Sequence, residues 1–564
     1  MPDWTAKPQG QEAPSGGARG TARGATRRQW LSLLVLSLGL AIVIIDSTIV
    51  NVAIPSIQKE FNASLKDLEW VNSIYSLVYA ALIVTWGRIG DQIGRKRIFI
   101  AGILTFVLGS ALAGAAQNIG FLIGARTIQG LGAAMTSPST LSIISATFTG
   151  RMRGVAFGVW GAVAGAAAAL GPLLGGWLIT SASWRWAFYI NLPIGVVAIL
   201  GALFVVRESR QEDTRLTFDV PGILLVALGI GGIVFGLIEG QSYGWWQPRQ
   251  PFTLGNWTWP LADLSITPVS FAIGVIGLVA FVTWERHMLQ RGQEPLFDFS
   301  LLRFRSFRFG LTTVAIVALG EFAVVFVLSL YLQGVLGLSA FDTGLTLLPF
   351  ALATLIVAPS AGFLSARFGP KWVVTAGMLL EATAIFLLSR IIRLDTARGT
   401  LILVLVIYGV GVGLAIAQLT NVVLSEIPPA RMGAGSGANN TIRQVGAAMG
   451  IAVIGAVLAT QLAASARTQL DAISTVPAPV KTAIVQALEQ SGGGEGLSNA
   501  PGVPAGVQDT PSGQAITHVI RQSFVDGARA SATVASVFVL LGALSSLFIP
   551  NTGPRQSRRV VPAE

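Results

Sequence analysis

Fourteen stretches of this chain are each apolar over the length of a membrane span, and this constrains the fold more than any other feature of the sequence. About 20 apolar residues suffice for a helix to cross the hydrocarbon layer. In lipid the backbone must satisfy its own hydrogen bonds, so each run reads as a helix. The runs cover 30–54, 68–88, 97–117, 119–142, 155–178, 184–206, 220–240, 265–286, 308–332, 343–365, 371–393, 400–424, 442–462 and 530–550. Trp30, Trp70, Trp184 and Trp372 mark span ends, where an amphipathic ring suits the membrane interface. The predicted class is an all-α integral membrane protein.

Composition removes several function classes. Only 12% of the residues are charged, about half the share usual in soluble domains. Cys is absent, so there are no disulfides, zinc–thiolate sites or Cys nucleophiles. The two histidines, His287 and His518, are far apart, and neither a metal nor a cofactor is expected. No Walker A pattern is present, which argues against ATP-driven transport by this chain. A G-x-S-x-G pattern around Ser242 follows a membrane span, so it lacks the strand–turn–helix setting of a hydrolase nucleophile. We therefore expect no enzyme. The net charge of +11 is spread over short loops, which argues against nucleic-acid binding.

An even number of spans puts both termini on one side. Lys and Arg are concentrated in the termini and the even-numbered loops, so that side is expected to be cytoplasmic. Residues 1–28 read as a disordered basic tail. The stretch 463–529 breaks the rhythm of short loops and reads as a long extracytoplasmic loop, with a short surface helix over 480–490.

After span 2 the chain reads Gly87-Arg88-Ile89-Gly90-Asp91-Gln92-Ile93-Gly94-Arg95-Lys96-Arg97. Glycines permit a tight turn there, and Asp91 is placed to accept hydrogen bonds from the start of span 3. This stretch resembles the loop signature of the major facilitator superfamily, G-x-x-x-D-x-x-G-R-[KR], at Gly87, Asp91, Gly94, Arg95 and Lys96. A weaker copy follows span 10, with Gly362, Gly369 and Lys371 in place and Ala366 where the carboxylate stands in the first. Three more stretches resemble the fourteen-span drug:proton antiporters of that superfamily. They are Asp46 to Pro55 in span 1, Trp184 to Gly195 opening span 6, and Gly433 to Gly446 before span 13. The glycine-rich end of span 5, with Gly171, Pro172, Gly175 and Gly176, resembles the superfamily's antiporter motif. Its small residues also suit close helix contact in any membrane bundle.

The resemblance implies two six-helix bundles, 29–207 and 301–550, flanking two inserted helices in 208–300, with cytoplasmic tails at 1–28 and 551–564. It implies export of lipophilic, often cationic, compounds against inward proton flow across the cytoplasmic membrane. The partners would be a small-molecule substrate, protons and the bilayer. A dedicated exporter of a natural product or lipid fits the same fold, and a membrane receptor is the alternative outside transport.

Charges inside spans ask for a partner or a task, since each costs at least ~2.5–3.5 kcal/mol at the bilayer centre. At ~1.5 Å per residue, Asp46 in span 1 and Arg126 in span 4 both lie roughly 10–12 Å below the outer surface. The resemblance lines both helices along the central cavity, where an opening and closing pair would couple transport to a proton. Glu321, mid-span in span 9, reads as a lone cavity carboxylate for a cation. Trp160 and Phe322, like Phe326 and Tyr331, are candidates for stacking on flat ligands. Glu381 in span 11 ranks lower. Arg443 is expected at the interfacial start of span 13, paired with Glu426, and Glu239 and Glu285 at span ends.

Overall fold

The computed structural model describes residues 25–63, 65–210, 219–254, 257–428, 431–473, 476–491 and 511–550. Most of both tails and residues 492–510 of the long loop lie outside the described residues. The first seven helices are α1 (Arg27–Phe61), α2 (Leu65–Ile93), α3 (Arg95–Gly114), α4 (Ile119–Thr147), α5 (Gly150–Ser181), the single turn α6 (Trp186–Tyr189) and α7 (Asn191–Val205). Next come α8 (Val220–Tyr243) and α9 (Ile266–Gln290). The rest are α10 (Arg305–Leu330), α11 (Ala340–Phe368), α12 (Pro370–Ile391), α13 (Arg398–Val423), α14 (Met432–Asp471), α15 (Ala478–Ser491) and α16 (Pro511–Ser546). Among the described residues, 13 helices are long and apolar enough to cross a membrane. The remaining long helix, α4, has 29 residues. Arg126, Gln129 and a run of Ser and Thr lower its apolarity, and most of it is buried in the bundle. The only strands among the described residues are β1 (Thr253–Leu254) and β2 (Trp257–Thr258), a small hairpin between α8 and α9.

Two parts of the chain depart from the expected limits. The apolar run places span 13 at 442–462, whereas α14 begins at Met432 and runs for 40 residues. Its first turns are Gly, Ala and Ser, which carry little hydropathy but let the helix press onto a neighbouring backbone: Gly437 would meet the Val84 Cα at 3.0 Å if it carried a Cβ. At about 60 Å, α14 outruns a hydrocarbon core of about 30 Å. The expected loop over 463–529 is accordingly largely helical: α14 continues to Asp471, α15 follows, and α16 starts at Pro511. Ile484, Val485 and Leu488 of α15 are buried in one cluster with Leu458 and Leu462 of α14 and Phe524 of α16, so α15 is fastened to the bundle.

Helices α1–α7 pack among themselves, as do α10–α16, while α8 and α9 pair with each other and α8 leans on α2 and α14. The two halves meet through α5 with α11 and α13, and through α14 with α2 and α4. The α5 glycines face two ways. Gly171 and Gly175 back onto Thr48 and Ile49 of α1, whereas Gly158, Gly165 and Gly176 back onto Ala358, Thr354 and Phe341 of α11. A Cβ at Gly165 would approach Thr354 to 2.8 Å, so small residues set how closely these helices lie.

Candidate functional site

Asp46 and Arg126 meet. Both are buried, at 0% and 1% exposure, and Arg126 Nη1 donates to Asp46 Oδ2. Three helices complete the arrangement. From α2, the Val71 carbonyl accepts from Arg126 Nε at 3.0 Å, and the Tyr75 ring lies 4.3 Å beneath the guanidinium. On α4, Gln129 lies one turn beyond Arg126; its Oε1 accepts from Arg126 Nη1 at 2.9 Å and its Nε2 donates to Asp46 Oδ1 at 2.8 Å. From α7, Asn191 Nδ2 donates to the same Oδ1 at 2.8 Å. Ser110 of α3 accepts from both amides, at 2.7 and 3.2 Å. Buried charges persist only when paired and hydrogen-bonded, and this network supplies both. The sequence reading matched the depths of Asp46 and Arg126 but gave no role to Gln129 or Asn191. Asn191 stands in the stretch opening span 6 that carries the family resemblance, and nothing in the residue type of either separates it from ordinary helix polar groups.

The stretch opening span 6 has an anchoring part as well. Trp184 Nε1 donates to Glu60 at 2.6 Å, and Arg185 pairs with the same carboxylate at 2.7 Å. The Trp184 hydrogen bond, followed by the Arg185 charge, holds the Glu60 carboxyl below the usual carboxylate range. The stabilisation is therefore present at neutral pH and fades as acid protonates Glu60.

Asp91 bonds a different helix from the one expected. It accepts from Gly433 N at 3.0 and 2.7 Å and from Ala434 N at 3.2 Å, so it caps α14 in the other half rather than α3. Arg95 Nε donates to it at 2.9 Å. The start of α3 is instead taken by Glu208, which accepts from Lys96 N at 3.0 Å and Arg97 N at 3.3 Å. Two glycines make this possible. Gly94 turns the chain at φ 127°, and a Cβ on Gly87 would sit 2.5 Å from the Gly433 carbonyl oxygen. Lys96 Nζ donates to Leu203 O at 2.8 Å. Near the same end of the bundle, Arg153 reaches Leu424 O at 2.8 Å, Gln418 reaches Gly154 O at 3.1 Å, and Ser142 reaches Ser436 at 3.3 Å. The halves are closed against each other at the end that carries the basic loops. In the second motif copy Gly369 turns the chain at φ 89°, and Ala366 brings no carboxylate.

In the second half, Glu321 lies half-buried in α10, and the Tyr408 hydroxyl of α13 reaches its backbone carbonyl at 3.4 Å. The Arg443 charge acts on Glu321 through space, with no ion pair between them among the described residues. Arg443 lies about three turns inside α14 rather than at its start, with its guanidinium 5.9 Å above the Trp160 ring. Glu426 does not pair with Arg443; it accepts from Ser306 N at 3.1 Å and from Ser306 Oγ. The physical reason is the early start of α14, which carries Arg443 into the bundle and leaves Glu426 in the loop before it. Trp160 is 1% exposed, sealed between the halves in this closed arrangement. Tyr331 is buried, and its hydroxyl bonds Arg393 O. The Phe322 side chain lies outside the described residues. Glu239 and Glu285, expected at interfaces, are buried at 1% and 0% exposure.

Comparison with known proteins agrees with this architecture. The family model described as Major Facilitator Superfamily matches residues 36–451. The tetracenomycin C resistance and export protein of Streptomyces glaucescens is 30% identical over 545 residues, covering 96% of each chain. The multidrug resistance protein Stp of Mycobacterium tuberculosis is 34% identical over 457 residues, covering 81% of this chain and 80% of its own. The crystal structure of the human organic anion transporter MFSD10 (TETRAN) aligns over 92% of this chain and 100% of its own, with a TM-score of 0.58 and 12% identity, a likeness of fold.

Proposed function

Since the chain belongs to the major facilitator superfamily, we propose that it is a proton-coupled antiporter exporting lipophilic, often cationic, compounds across the cytoplasmic membrane. The observation that carries this reading is the buried Asp46–Arg126 pair, held by Gln129 and Asn191. A carboxylate whose cationic partner can move away gains proton affinity, so opening this pair loads a proton and closing it releases one. The cluster joins α1, α2, α3, α4 and α7, so a shift among these helices changes its geometry. Asp91, bonded across the halves, joins proton movement to the change of access.

The names of the two relatives, resistance and export, support drug efflux. The test uses everted membrane vesicles acidified inside by respiration. A lipophilic cation such as ethidium should drive protons out in a dose-dependent way, and silence across a panel of cations, neutral drugs, natural products and lipids would sink the reading. Export of a dedicated natural product is the second reading, favoured by the relative whose name carries tetracenomycin C. Proton release by that class alone would select it.

In this reading the closed end faces the cytoplasm, because the basic loops lie there. Tags at positions 10 and 560 should then be protected in intact cells, and a tag near Gly493 accessible. An accessible tag at 560 would overturn the orientation.

A further inference from the structure

Glu381 is a buried acid that the proposed cycle leaves unused. It sits mid-way along α12 with 0% exposure, and among the described residues neither carboxyl oxygen has a hydrogen-bond partner. The α12–α13 seam is tight there: a Cβ on Gly411 would lie 2.6 Å from the Glu381 amide nitrogen and 3.0 Å from its Cα. The titratable groups that act around it are few. From α10 comes Glu321, and from α13 Tyr408, whose hydroxyl bonds the Glu321 carbonyl and which feels both carboxyls. The charged residues of α11, Asp342 and Arg367, sit at its two ends. On α16, His518, Arg521, Asp526 and Arg529 all precede its apolar half; Arg529 donates to Ile392 O, about three turns from Glu381. Asp526 accepts from Ser465. Among the described residues no cation pairs with the Glu381 carboxyl, and an unpaired buried charge is strongly disfavoured.

Charge balance then assigns it a task. One Arg443 cation and one Glu321 carboxylate carry no net charge between them, so together they present no net negative charge to an arriving cation. We propose that Glu381 is a proton-binding residue of the second half, carrying a proton when the protein is empty and losing it when a lipophilic cation docks beside Glu321. Before docking, Arg443 and Glu321 cancel and Glu381 is neutral. After docking, the positive charge of the substrate is balanced by the Glu381 carboxylate, and the proton has left to the solvent. One proton departs for each monovalent cation bound, with no change of net charge at the site. This inference rests on the antiport reading and identifies its cation-binding half.

The test is binding of tetraphenylphosphonium to the purified full chain, with proton release counted by calorimetry in buffers of different ionisation enthalpy. The expected wild-type affinity rises about tenfold per pH unit where one proton is linked to binding. Glu381→Gln should release about one proton fewer per cation than wild type, flatten that pH dependence, and bind a neutral drug normally. Glu381→Asp should restore the pH dependence. A wild-type proton count and pH slope in Glu381→Gln would overturn the inference and leave the antiport reading standing. Wild-type protein that binds the cation without releasing any proton would overturn the antiport reading as well. Should Glu381→Gln fail to fold, Glu381→Asp carries the test: a pH profile displaced from wild type supports the inference, and a superimposable one overturns it.

Discussion

Asp46→Asn should reduce uphill export driven by a proton gradient to the level of protein-free vesicles, while substrate binding and downhill exchange persist. The amide keeps the shape of the carboxyl and can still meet Gln129 and Asn191, which now donate to it at 2.8 Å each. It cannot take up or release a proton. It also leaves Arg126 charged, 1% exposed and without its anion. Breaking a buried pair in this way costs about 3–5 kcal/mol, so abundance is expected to fall. Asp46→Asn combined with Arg126→Gln removes both charges and should recover abundance without recovering uphill export. Asp46→Glu keeps the titrating group on a longer arm and should retain partial activity. The measurement is drug accumulation in proteoliposomes under an imposed pH gradient. Normal accumulation with Asp46→Asn would take the pair out of the coupling mechanism and leave the second half to carry it.

The second large effect is expected at the closed end. Asp91→Asn replaces an anion at the N-terminus of α14 with a neutral amide, although the helix dipole and two backbone N–H groups favour a negative charge there. A loss of about 2 kcal/mol from the closed arrangement shifts the closed-to-open ratio about 30-fold. Transport should fall steeply, because the protein no longer returns to the closed state often enough. Substrate affinity should change little, since Asp91 lies among helix ends rather than near Glu321 or Asp46. The absence of cysteine offers a direct readout. Ser142→Cys with Ser436→Cys places two thiols where the hydroxyl oxygens are 3.3 Å apart in the closed state. Cross-linking between them should be efficient in an otherwise unchanged chain and weak when Asp91→Asn is added. Undiminished cross-linking together with lost substrate binding would contradict this role.

These expectations depend unequally on sequence and on structure. Asp46, Arg126, Asp91 and Glu321 were legible in the sequence because a charge inside an apolar run, or inside a Gly-rich basic turn, stands out against its surroundings. Their partners were not legible. Gln129, Asn191 and Ser110 are common polar residues of membrane helices, and only convergence around Asp46 gives them a role. Trp160 was visible as an aromatic within a span, but not that Arg443 covers it.

Residue order alone accounts for the long helices, because a run of about 20 apolar residues in lipid has helix as its available backbone state. It also accounts for the turn at Gly94, whose positive φ favours a residue without a Cβ. These are local consequences of hydropathy and of backbone sterics. Which helix Asp91 caps is a different kind of fact. The start of α3 is adjacent in sequence and the start of α14 lies more than three hundred residues away, yet Asp91 bonds α14 because Glu208 folds back onto α3. The depth of Arg443 was likewise decided by packing: the Gly and Ser turns of α14 gain their stability from contact with α2 rather than from their own hydropathy. Pairings across the two halves depend on which surfaces approach closely enough to exclude a side chain, and that distance is a property of the assembled bundle.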